Sequence, residues 1–163
     1  MENQRSKIQL ASSATRGVSE NEYSIKRMKA TAEKRDIESE EDVETLVHAF
    51  YQKVREHTEI GHFFNETIED WDAHLDTLTK FWMANLFGES GYTGNPMKSH
   101  IEVDRSFDNQ IEQAHFGYWL QLWFSTIDSM FAGAKANLAK ERARNIAHIT
   151  FIKIYQARRI KTN

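Results

Sequence analysis

The chain has 163 residues, 24 acidic against 21 basic, for a net charge of −3, which sizes it for one domain and argues against a general nucleic-acid binder. It contains no cysteine, so disulfides, thiolate metal sites, thiol nucleophiles and thioether-linked prosthetic groups are excluded. No run approaches the ~20 apolar residues of a membrane span, and the first residues lack the apolar segment of a secretory signal, so a cytoplasmic location is the expectation.

Residues 1–36 carry eight Lys/Arg against five Asp/Glu and are rich in Ser, Asn and Gln at their start. They read as a flexible basic extension, with a weak helix over 21–35. A domain over 37–160 and a short tail at 161–163 follow. One proline and seven glycines across long stretches of 3.6-residue periodicity predict an all-α fold. Ser39 with Asp42 three residues on marks a helix start. That helix runs to Glu56, with Val43, Leu46, Val47, Phe50, Tyr51 and Val54 on one stripe. Gly61 interrupts, and "HFFNETIED" reads as a turn-rich connection.

A second long helix is predicted from Asp70 to Phe87, burying Trp71, Leu75, Leu78, Trp82 and Leu86. "GESGYTG" breaks it. In "GYTGNPMKSH", Asn95 is a good N-cap and Pro96, the one proline, a good first helical residue. A short helix therefore carries His100 on its first full turn, and a loop near 102–109 follows. A helix from Gln110 to Phe131 is apolar on two sides, which places it centrally. The last helix spans 135–158, with Ile146, Ile149, Phe151 and Ile152 expected inward.

Aromatic residues make up 12% of the chain, and four tryptophans in a small helical domain need a reason. A bulky core is the plain explanation. A histidine presented on a stiffly started helix, amid rings with polar handles, suits a large flat apolar cofactor equally. The other histidines offer less. "HTEIGH" is not the spacing that puts two zinc ligands on one helix face. His48, His57, His62 and His148 read as surface or core-edge residues, and His115 stands apart from them in sitting one turn before Trp119.

Five segments in chain order resemble the group III truncated haemoglobins. They are "AFYQKV" with Tyr51, "HFFN" with Phe64, "WDAHLDTLTKFW" with His74 and Trp82, "GYTGNPMKSH" with His100, and "YWLQLWF" with Trp119. The resemblance covers roughly residues 41–157. It implies a two-over-two globin sandwich with haem b between the helix pairs and His100 as the proximal iron ligand. It further implies Tyr51, His74 and Trp119 as the residues facing a dioxygen or other diatomic ligand, Phe64 packed on the haem face, and Trp82 as a second ring of the distal helix. Lys98 and Arg105 are propionate partners suggested by charge and closeness to His100.

Two departures stand out: the N-terminal extension, and a segment "IEVDRSFDNQIEQAHFG" longer than the pattern requires. The second leaves Tyr118 and Trp123 as alternatives to Trp119. The same iron would also suit peroxidase-like or nitric oxide chemistry, with an external electron donor, and a haem-free helical interaction domain is the third reading.

Overall fold

A computed structural model describes residues 20–32 and 34–160. The chain divides into two compact units between residues 33 and 34. Among its described residues the first contains one helix, α1 (Glu20–Ala32), with Tyr23 and Ile25 exposed. The expected flexible segment over residues 1–19 and the tail at 161–163 lie outside the described residues.

The second unit holds six helices in chain order: α2 (Glu40–Glu56), α3 (Gly61–Asn65), α4 (Trp71–Phe87), α5 (Pro96–Ser106), α6 (Gln113–Met130) and α7 (Ala134–Arg159). No strand occurs among the described residues. None of the described helices is long and apolar enough to cross a membrane. α2 packs on α4 and α6, α6 on α7, and α5 on α7.

α2 follows its pattern closely. Ser39 accepts the Asp42 N–H at 3.2 Å while Asp42 returns a bond to the Ser39 N–H, also 3.2 Å, a reciprocal cap that satisfies two otherwise orphaned donors. All six residues of its apolar stripe are buried. Asp42 is buried too, held by the Arg35 guanidinium and the Glu38 N–H, and these donors keep its carboxyl well below the usual carboxylate range.

The core centres on four rings. Trp82 of α4 stacks on Trp123 of α6 with centroids 4.4 Å apart. Phe50 of α2 meets Trp123 edge-on at 4.8 Å and Trp119 edge-on at 5.3 Å. The Trp123 indole, fully buried, donates to the Ala139 carbonyl of α7 at 3.2 Å. That bond requires α6 and α7 to approach closely, and α7 permits it with a stripe of small residues, Ala136, Ala139, Ala143 and Ala147, all buried.

This small-residue stripe corrects the expectation for the last helix. Ile149 and Ile152 are exposed, at 49% and 37%, because Thr150 and Ile154 take the inward positions. Three boundaries also move. "HFFN" forms the short α3 instead of only a turn. α5 continues to Ser106, through much of the expected loop, and α6 starts at Gln113 because residues 107–112 form the connection. Arg35 and Asp36 pack with the helical unit: the Ala132 N–H donates to the Arg35 carbonyl at 3.1 Å, and the Asp36 carboxylate accepts the Lys135 and Ala136 N–H groups at 2.8 Å each. Gly133 makes this possible, since its φ is +153° and a Cβ there would overlap Asp36.

Asp36 thus caps α7 from a residue nearly a hundred positions away. Asp36→Ala is expected to cost about 1–2 kcal/mol, the range for loss of a side-chain helix cap, read as a lower urea midpoint with an unchanged slope.

Candidate functional site

The start of α5 is built as its sequence requires. Asn95 accepts the Lys98 N–H at 3.2 Å through its side chain, and Pro96 occupies the first turn, where its missing N–H costs nothing. One turn on, His100 Nδ1 lies 2.5 Å from the Pro96 carbonyl. A carbonyl only accepts, so Nδ1 carries the proton and Nε2 is the basic nitrogen. His100 is exposed, yet the nearby protein disfavours the imidazolium and lowers its pKa; the Pro96 bond opposes that shift.

A second set of side chains is drawn together from four helices. Tyr51 of α2, 5% exposed, has Phe64 of α3 at 5.9 Å and both Trp71 and His74 of α4 at 6.2 Å between centroids. Burial raises the Tyr51 phenol pKa, so it stays protonated, and a hydrogen bond with the Trp119 side chain offsets a smaller part of that rise. Burial also lowers the His74 pKa, and the charge of His100 lowers it further, which places the two imidazoles within electrostatic reach of each other.

Gly61 helps to assemble this cluster. A Cβ at that position would come 2.7 Å from the Arg55 carbonyl, so only glycine lets α3 fold back against the end of α2 and carry Phe64 to Tyr51.

Of the three aromatic candidates on α6, Trp119 alone reaches Tyr51. Tyr118 sits beside His57, centroids 5.2 Å apart, and Trp123 is committed to Trp82 and Ala139. Trp82 is 2% exposed, and the structure places it in the core stack. Lys98 and Arg105 are exposed on α5. At roughly 100° per residue both lie nearly opposite His100 around the helix, and Lys98 faces Glu102 at 3.9 Å. The structure does not bring these two toward the His100 ring.

Trp71 is the residue of this cluster that sequence reasoning counted only as packing. Its ring also lies 5.9 Å from His74, and the Arg55 guanidinium sits 4.3 Å above it. The available signal was its position one turn before His74, on the same helix face. A groove of about 950 Å³ adjoins the cluster between α2 and α4, lined by Thr45, His48, Tyr51, Arg55, Trp71 and Leu75, and not by His100. His115 plays a structural part: its Nδ1 accepts the Glu112 N–H at 2.8 Å and closes the start of α6.

An all-helical unit with an imidazole on the short α5 and a Tyr/His/Trp cluster drawn from α2, α4 and α6 has a globin-like architecture. Two comparisons specify it. The chain is 30% identical over 113 residues to the group 3 truncated haemoglobin ctb of Campylobacter jejuni, spanning 67% of this chain and 85% of the relative. It also superposes on a crystal structure of a group III truncated haemoglobin from Campylobacter jejuni with a TM-score of 0.67 and 28% identity, covering 76% of this chain and 97% of that one. No family model matches. The chain belongs to the group III truncated haemoglobins.

In ligand-free protein both His74 and His100 are expected to titrate below 6.5 by NMR, and His100→Ala should raise the His74 value by removing a positive neighbour. Because the unfolded chain then takes up these protons first, stability is complete above pH 6.5 and declines as the pH falls below it. His74→Gln is expected to flatten that decline in urea titrations at pH 7 and pH 5.

Proposed function

We propose that this chain binds haem b through His100 and holds dioxygen or another diatomic ligand against Tyr51, Trp119 and His74. The observation that carries the reading is the His100 ring itself: its Nδ1 is committed to the Pro96 carbonyl, which leaves Nε2 as a neutral ligand directed by a backbone bond. Such a bond selects the tautomer and strengthens the ligand, as outer partners do for metal-bound histidines. The donor set fits this group. A haem iron takes a single imidazole from its protein, and His100 offers one whose Nδ1 is held by the Pro96 carbonyl.

Haem held there by His100 would supply an iron able to bind a small diatomic ligand. The chain's own contribution is directional. Trp119 can only donate, so in its bond with Tyr51 the phenol oxygen accepts. The Tyr51 proton is then free to point at a second acceptor, and burial ensures that it is present at any physiological pH. Tyr51 is thereby a donor aimed by Trp119. His74, kept neutral by burial and by His100, offers one donor and one acceptor beside it. Phe64 and Trp71 enclose the other sides of Tyr51 and keep bulk water from competing for its hydroxyl.

A hydrogen bond to a ligand bearing partial negative charge contributes about 1.5–3 kcal/mol, so its loss should speed ligand release roughly 10- to 100-fold. Tyr51→Phe is expected to release oxygen that much faster, with Trp119→Phe showing a smaller acceleration because the donor survives without its aim. Release rates unchanged in both variants would refute this arrangement. His100→Ala should eliminate the Soret band of the reconstituted protein, or restore it only when imidazole is added; an unaltered spectrum would remove His100 from the iron.

A further inference from the structure

Asp104 stands one turn beyond His100 on the same side of α5, and it is 2% exposed. Arg158, in the last turn of α7, grips its carboxylate with two prongs: Nε donates to Oδ2 at 2.9 Å and Nη2 to Oδ1 at 2.7 Å. The same Nη2 donates to the Ile111 carbonyl at 2.8 Å, and the Ile111 N–H donates to Asp104 Oδ1 at 3.2 Å. The Asp104 carbonyl accepts the Asn109 N–H at 2.8 Å across a turn in which Asp108 and Asn109 have φ of 54° and 59°. Aspartate and asparagine tolerate that left-handed backbone better than other residues with a side chain. One side chain therefore joins the end of α5, the connection to α6 and the end of α7. This connection lies in the segment noted above as longer than the family pattern requires.

An exposed pair would contribute little to holding anything in place. This carboxylate is out of water, so leaving it unpaired is strongly unfavourable, and the planar guanidinium fixes direction as well as distance. Asn95 and Pro96 anchor the other end of the same helix. His100 lies between the two anchors, and α5 has little freedom to tilt.

We propose that Arg158, acting through Asp104, is a positioning residue for His100, so that the C-terminal turn of α7 sets the tilt of the helix carrying the iron-ligating imidazole. This rests on the haem reading above. Ligand strength in such sites depends on how outer partners orient the ring, and losing one commonly weakens the metal complex 10- to 100-fold.

The test uses full-length, haem-loaded protein and two readouts: the iron–histidine stretching band of the ferrous form by resonance Raman, and the rate of haem transfer to excess apomyoglobin. Arg158→Met is expected to shift or broaden the band and to accelerate haem loss about 10-fold or more. Arg158→Lys, which keeps the charge without the fork, should fall between. The control is Arg35→Met, which likewise removes the guanidinium from a buried carboxylate, Asp42 at the start of α2, although Arg35 itself is more exposed than Arg158. It should lower the urea midpoint while leaving the band in place. Should Arg158→Met fail to fold, D104N/R158Q, which leaves no charge unpaired, carries the same expectation. A band unmoved by the Arg158 variants, with haem loss no faster than in Arg35→Met, overturns the coupling alone. Absence of any iron–histidine band in the unaltered protein overturns the haem reading and this proposal with it.

Discussion

The stack of Trp82 on Trp123 governs the rest of the molecule, because it sets how far α4 stands from α6. Two indoles 4.4 Å apart cannot be compressed, and the polar edge of Trp123 is already spent on Ala139 of α7. Protein interiors pack too densely for such a pair to shift without moving its neighbours. Phe50 wedges edge-on against both Trp119 and Trp123, and its successor Tyr51 necessarily points elsewhere, toward α3 and the N-terminal half of α4. The packed core and the polar cluster are thus adjacent residues of one helix, and neither can be moved independently of the other.

That arrangement assigns opposite chemical tasks to neighbouring aromatics. Trp123 and Trp82 are both internal, and the Trp123 N–H is taken up by the Ala139 carbonyl. Trp119, one turn before Trp123 and stacked near it at 6.1 Å, is only half-buried and directs its single donor toward Tyr51. The same physics acts on the titratable groups. Loss of water contact disfavours charge at Tyr51, His74 and His100 alike, raising the phenol pKa and lowering those of the two imidazoles.

The helix α5 is held differently from the others. It packs on α7 and is fastened at its two ends by polar side chains, Asn95 at one and Asp104 at the other. Its first turn is specified locally, since Asn95, Pro96 and the Pro96 carbonyl lie within five residues of His100. Its last turn is specified at long range by Arg158.

Local rules made much of this legible in advance. The capping residues Ser39 and Asn95, the helix stripe from Val43 to Val54, and the partnership of Pro96 with His100 each depend on residues a few positions apart, and periodicity and rotamer geometry decide them. The family resemblance, carried by ordered segments around Tyr51, Phe64, His74, His100 and Trp119, followed from the same stretches. What the chain could not reveal by itself concerns partners far apart. α7 looked as though Ile149 and Ile152 should face inward, but the nearness of α6 admits only an alanine stripe, so bulk was displaced to the surface. The choice of Trp119 over Tyr118 and Trp123, the stacking of Trp82 on Trp123, the turning of Lys98 and Arg105 away from His100, and the pairing of Asp36 with α7 and of Asp104 with Arg158 were all decided by how helices dock. Periodicity says which face of a helix is apolar; only the neighbour's distance decides which side chain fits there.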